Sequence, residues 1–253
     1  MAQERLQRAL ARAGYGSRRT CEALIVAGKV KVNGVLATLG DKVEATNDVV
    51  TLGGVTVNLD PNVRYYALHK PAGVVTTMRD PHHASDLRRY LPADGPRVFP
   101  VGRLDRDSEG LLLLMNDGEL ANKLMHPRYG IEKEDLVEVA GRPAAKHLGA
   151  IRRGVELEDG PARVVSARIV DARPERGQLR VVMAEGRKRE VRRLLAAVGL
   201  PVTRLIRLRI GPVRLGSLPP GERRELTADE VLALSRAAAK AERRAARAGA
   251  LDR

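Results

Sequence analysis

Five consecutive apolar residues, Leu111 to Met115, stand between a polar loop and an Asn116-Asp117-Gly118 turn. The run is strand-sized, and a strand that stays apolar at every position is more deeply buried than one alternating between core and water. No apolar run in the chain is longer, and about 20 residues are needed to span a bilayer, so no membrane-spanning helix is expected. Further strand patterns follow a Pro61-Asn62 step: residues 63–68, 98–101, 110–115, 136–139, 164–170, 179–183 and 204–210. Helical patterns are fewer, at residues 119–125, 144–153 and 191–198. The expectation is an α+β chain built around a mixed or antiparallel sheet.

Charge narrows the partner. The 253 residues carry a net charge of +14, which attracts a polyanion because each neutralised phosphate releases condensed counterions. There is no Trp and only one Phe, so a stacking platform for single strands is not expected. Recognition of a folded RNA through charge and shape is. Cys21 is the only cysteine, which excludes a disulfide framework and a thiolate zinc site. The Arg-rich N-terminus includes Glu4, lacks the serines of a transit peptide and runs straight into an ordered pattern, so a cytoplasmic location is expected.

Residues 1–60 read as a compact unit. Leu6, Leu10 and Ala13 recur at helical spacing before Gly14 and Gly16, and Ser17 offers an N-cap to a second helix with Cys21, Leu24 and Ile25 on its apolar face. Gly28 closes that helix, and Lys29-Val30-Lys31-Val32 alternates into Asn33-Gly34, a strong hairpin signal. Arg5, Arg18, Arg19, Lys29 and Lys31 are the candidate RNA-binding residues. This order of turn glycines, Ser-Arg-Arg helix start and Val-Asn-Gly turn resembles the S4 RNA-binding domain, which implies two helices plus a hairpin presenting a basic face to structured RNA. Residues 61–236 form the larger unit. Residues 237–253, rich in Ala and Arg, read as a frayed basic helix or a disordered tail.

The loop Gly102-Arg103-Leu104-Asp105-Arg106-Asp107-Ser108-Glu109-Gly110 interleaves three carboxylates with two arginines. On spacing alone such a loop is as readily a surface ion-pair network as a catalytic centre. GRLDRDSEGLLLLMNDGELANKLMHP, however, resembles the signature of RsuA/RluB-type pseudouridine synthases, with supporting segments at residues 68–77 (LHKPAGVVTT) and 185–216. The resemblance implies a pseudouridine synthase catalytic domain. In it Asp105 attacks C1′ of the target uridine or removes the C2′ proton, and Arg192 is the cation that keeps Asp105 ionised. Arg103 is the candidate for filling the space left by the flipped base or holding a flanking phosphate, and Lys70 for contacting RNA backbone. Arg207 and Arg209 extend the basic track or face solvent.

One position departs from that family. Its pattern IEKTYLVEV reads IEKEDLVEV here, so Asp135 stands where a pocket tyrosine is expected. A carboxylate does not stack on uracil, and stacking is worth about 1–3 kcal/mol per base. Slow turnover, faster in Asp135→Tyr, is therefore expected. The primary reading is isomerisation of one uridine in ribosomal RNA, on the large-subunit (RluB) branch. The alternative is a catalytically impaired RNA-binding or ribosome-assembly protein that keeps the fold. A metal-dependent phosphoesterase using Asp105, Asp107 and Glu109 ranks last, since His82-His83 is the nearest histidine cluster and is poorly spaced for ligation. No metal, cofactor or bound nucleotide is expected, and no oligomer is required.

Overall fold

The computed structural model of the chain describes residues 3–13, 15–60, 62–77, 86–92, 96 and 98–251. Pro61 and the His82-His83 pair lie outside the described residues.

The N-terminal helices Leu6–Arg12 and Arg18–Val26 form where the glycines and the cap place them. Ser17 Oγ accepts from the Thr20 amide at 3.1 Å, satisfying one of the orphan N–H groups at the helix start. The Asn-Gly turn has both residues left-handed (φ +50° and +86°), as a two-residue hairpin of this hand requires. The sheet exceeds the expected hairpin. Its four strands run in the order Val35–Leu36, Val30–Val32, Val50–Leu52, Val55–Val57, the last two joined through Gly53-Gly54. Val30, Val50, Leu52 and Val57 face inward, against Leu6, Leu10, Cys21 and Ile25. Arg5, Arg18, Arg19, Lys29 and Lys31 are all exposed.

Beyond this unit lies a nine-stranded mixed sheet, counted over the described residues. Its main path is Ser166–Ala172, Arg176–Met183, Lys133–Ala140, Val202–Ile210, Glu109–Met115, Tyr65–Lys70 and Arg223–Glu225. All these pairings are antiparallel except one: Val202–Ile210 meets Glu109–Met115 in parallel, through Ile206 opposite Glu109 and Arg207 opposite Gly110. The Leu111–Met115 run explains itself here. Leu111, Leu113 and Met115 point into one core with the helices Gly118–Met125 and Ala228–Leu251. Leu112 and Leu114 point into the other, with Glu190–Ala197 and Ala145–Arg153. Both faces are covered, so neither parity can be polar. At the parallel contact only glycine fits position 110. Its φ is +108°, and a Cβ there would overlap the Arg207 backbone.

The C-terminal segment is not a frayed or disordered tail over residues 237–247. The helix Ala228–Leu251 runs unbroken through position 237 and buries Val231, Leu234, Ala238 and Ala241 along one stripe. Lys123 pairs with Glu242 at 3.0 Å across to the neighbouring helix. Alanines at 238 and 241 contribute little to a hydropathy pattern, yet they allow the close approach that packs this helix. Among the described residues no helix is long and apolar enough to cross a membrane.

Candidate active site

Two segments far apart in sequence converge on the Gly102–Gly110 loop. From residues 68–77, Thr76 Oγ1 donates to the Leu104 carbonyl at 2.6 Å and accepts from the Leu104 amide at 3.2 Å. The Gly73 amide donates to the Arg106 carbonyl at 2.7 Å. From the helix Glu190–Ala197, Arg192 Nη2 donates to the Asp107 carbonyl at 3.0 Å and to Ser108 Oγ at 3.2 Å. The loop closes on itself where the Ser108 amide donates to the Asp105 carbonyl at 3.1 Å. Its main chain is thus held by its neighbours, and the Asp105 carboxylate is left to project into a cleft of about 500 Å³. That side chain is 31% exposed.

The cation beside Asp105 differs from the one nominated by resemblance. Arg189 Nη1 lies 4.0 Å from the Asp105 carboxylate and also forks onto Asp107, with both bonds at 3.0 Å. Arg192 sits 3.5 Å from the Asp107 carboxylate instead, and its remaining bonds go to main chain and Ser108. The expected Asp105–Arg192 ion pair is therefore not formed. Arg192 points under the loop, whereas Arg189, one turn earlier, points across its mouth. Arg189 is a left-handed non-glycine residue (φ +50°) at the helix N-cap, a conformation rare outside functional or strained sites. Sequence gives no sign of that conformation. Hydrogen bonds from Arg189, aided by Arg192, hold the Asp107 carboxyl below the usual carboxylate range. Glu109 pairs with Arg204. Asp107 and Glu109 are thus committed to guanidinium groups, and among the described residues no cluster of three or more His, Cys, Asp or Glu is arranged to hold a metal ion.

Lys70 requires a correction. Its side chain is fully buried, with Nζ donating to the Pro71 carbonyl at 2.9 Å and the Val74 carbonyl at 2.7 Å. It shapes the loop that carries Thr76 and does not reach RNA. Arg103, by contrast, is exposed at the rim of the cleft.

The far wall comes from the strand Lys133–Ala140. Asp135, Val137 and Val139 share its buried parity, so Asp135 occupies a core-facing position and is 0% exposed. A carboxylate there must be paired. Arg207 supplies the pair from the adjacent strand, with Nε to Oδ1 at 2.9 Å and Nη2 to Oδ2 at 3.2 Å. A register shift between Glu134 and Asp135 makes this possible. Glu134 sits opposite Arg209 and Asp135 opposite Arg207, so two consecutive residues both meet arginines. Neither arginine faces solvent: their side chains are 14% and 17% exposed, and Arg209 is held by Glu134 and Glu132. Alternation along the strand cannot reveal such a bulge.

Lys133 lines the same cleft. Burial, aided by the Arg207 charge, pulls its amine down from 10.5 to about 8. Burial does the same to Lys70, opposed by Asp105, Asp107 and Glu109. A lowered amine pKa means that between pH 8 and 10.5 the unfolded chain binds more protons than the folded one, so stability rises with pH across that window. Each lysine contributes at most about 3 kcal/mol at 1.36 kcal/mol per unit. Opposition begins near pH 9 from Cys21, whose thiol burial pushes up, and above pH 10 from Tyr15, pushed up to about 12. Urea unfolding between pH 8 and 9 should show stability rising, less steeply in Lys133→Met. A flat or falling wild-type curve would contradict these environments.

Comparison with known proteins gives a consistent picture. Residues 64–197 match the RNA pseudouridylate synthase family, and residues 4–50 match the S4 domain. An RNA pseudouridine synthase of Mycobacterium leprae is 46% identical over 234 residues, 90% of each chain. The ribosomal large subunit pseudouridine synthase B of Bacillus subtilis is 41% identical over 231 residues, covering 90% of this chain and 94% of its own length. A crystal structure of a pseudouridylate synthase superposes with a TM-score of 0.60 at 28% identity, over 91% of this chain and 99% of the other.

Proposed function

Because the chain belongs to the RNA pseudouridylate synthase family and carries an S4 domain, we propose that it converts a uridine of large-subunit ribosomal RNA to pseudouridine, with Asp105 as the reacting carboxylate. One observation carries this reading: a loop segment at residues 73–76 and the helix Glu190–Ala197, far apart in sequence, converge to hold the main chain of the Asp105 loop while leaving the Asp105 carboxylate in the cleft. An ion-pair network on the surface needs no such support. The exposed Arg5, Arg18, Arg19, Lys29 and Lys31 would grip the folded RNA, and Arg103 at the cleft rim would hold the distorted strand as the uridine leaves its stack, which costs a few kcal/mol.

The chemistry asks for one carboxylate. Attack on C1′ expels the base directly, and removal of the C2′ proton expels it by elimination. In both routes the electron pair of the N1–C1′ bond goes to uracil, which then turns and rejoins through C5. Arg189 places a positive charge 4.0 Å from the Asp105 carboxylate. The test is pseudouridine mapping of ribosomal RNA from cells with and without the gene. Loss of one modified position in the deletion, restored by the wild-type gene but not by Asp105→Ala, supports the proposal. No change in any ribosomal RNA position rejects it.

A second reading, an RNA clamp with little or no turnover, is favoured by a single observation. A buried carboxylate, not an aromatic ring, forms the cleft wall at position 135. If the missing ring limits turnover, Asp135→Tyr releases tritium from C5-tritiated uridine in ribosomal RNA transcripts faster than wild type. An unchanged or slower rate removes the support for this reading.

A further inference from the structure

The pair Asp135–Arg207 is an expensive feature with no structural need. Val137 and Val139 continue the same strand face with apolar side chains, and Leu205 precedes Arg207 on the same parity of its own strand. Two apolar residues would complete that core, and replacing a buried ion pair by packed apolar residues is often neutral or stabilising. The pair instead terminates the core where the cleft begins, on the wall of the pocket that also holds Asp105. Its fork geometry uses Nε and Nη2 of Arg207, which fixes the guanidinium plane and leaves its other N–H groups uncommitted to Asp135. Lys133 lines the same pocket, so this wall carries two cations against one carboxylate.

That balance suits an anion with a flat ring. We propose that Arg207, held in plane by Asp135, is the residue that carries the uracil base while it is detached from the ribose. The inference rests on the function proposed above and deepens it. When the N1–C1′ bond breaks, its electron pair leaves with the base, and the uracil becomes an anion with charge spread over N1, O2 and O4. The N–H edge of the guanidinium that Asp135 leaves free can meet the charged oxygens of such a ring in its plane. Rotation then brings C5 to C1′. The C5–C1′ bond forms, and either the electron pair of an Asp105–C1′ bond returns to the carboxylate or the proton that Asp105 took from C2′ is given back to C2′; C5 then gives up its proton and N1 takes one up. Nothing is oxidised and no co-reactant is used. In this chain a fixed cation does the work at a stage where an aromatic ring offers only a surface.

The experiment uses the full chain and ribosomal RNA transcripts carrying either C5-tritiated uridine or 5-fluorouridine. Arg207→Met alone strands the buried Asp135, so the main variant is Asp135→Leu/Arg207→Met, which replaces the pair by apolar residues and is checked for folding by its unfolding midpoint. Arg207→Lys keeps the charge but not the plane. The double variant should lose about 10²-fold in single-turnover tritium release, the scale of one electrostatic stabiliser. With 5-fluorouridine, adduct formation should fall less than about tenfold, because fluorine itself stabilises the departing anion. Arg207→Lys should fall between wild type and the double variant on uridine. Equal losses on both substrates would mark the pair as merely structural and overturn the inference, as would a folded double variant with the wild-type rate. Absence of tritium release by wild type on every transcript would instead reject the proposed function itself.

Discussion

Asp105→Asn is expected to lower single-turnover pseudouridine formation by about 10⁴-fold or more, with the unfolding midpoint and RNA affinity essentially unchanged. The combination is what separates a reacting group from a structural one. The loop around Asp105 is held through main chain: Thr76 on Leu104, Gly73 on Arg106, Arg192 on Asp107 and the Ser108 amide on Asp105 itself. The carboxylate takes part in none of these bonds, and its cation, Arg189, is 4.0 Å away and doubly bonded to Asp107. Asparagine keeps the volume and removes the charge, so the change in stability should stay within about 0.5 kcal/mol, as for a surface substitution away from special features. Tritium release from C5-labelled ribosomal RNA measures the rate, and filter binding of the same RNA measures the affinity. Activity above a tenth of wild type would return the loop to the status of an ion-pair network.

Much of this architecture can be read from the residues because local and global preferences agree. The Leu111–Met115 strand announces burial on both faces, Ser17 announces a helix start, and Asn33-Gly34 announces a hairpin. The loop carrying Asp105 stands out by its motif. What sequence hides are features decided by neighbours remote along the chain. Lys70 looks like an RNA-facing base in a Lys-Pro step, yet its strand runs on to position 70 and takes the side chain inside. Asp135 looks like an unpartnered carboxylate standing in place of a pocket tyrosine, yet a one-residue register shift places Arg207 directly against it. The last helix looks like a polar tail because half its buried stripe is alanine. Arg189 and Arg192 lie in one short basic run, and only the turn entering the helix decides which of them faces Asp105. In each case the deciding contact joins residues that periodicity cannot connect.

That last distinction yields a second large effect. Arg192→Ala should cost about 3 kcal/mol of stability and at least about 10² in kcat, with KM for RNA little changed. The side chain is buried, and removing it strands the Asp107 carbonyl, Ser108 Oγ and the Val202 carbonyl without their donor. The loop would relax by tenths of an ångström to an ångström, enough to misplace Asp105 relative to a ribose held by the rest of the cleft. Since Arg192 acts through the loop main chain and touches no reacting atom, the loss belongs in kcat. Arg192→Lys, which keeps the charge but cannot reach three acceptors at once, should recover stability only in part. Asp107→Ala is the informative control. It deletes the carboxylate that Arg189 and Arg192 share but leaves the Arg192 bonds to main chain intact, so its kcat should fall less than about tenfold. If Asp107→Ala proved as damaging as Arg192→Ala, charge pairing and not main-chain support would be what positions Asp105. If Arg192→Ala kept the wild-type kcat, the loop would need no buttress, and the convergence of two remote segments on it would lose its functional meaning.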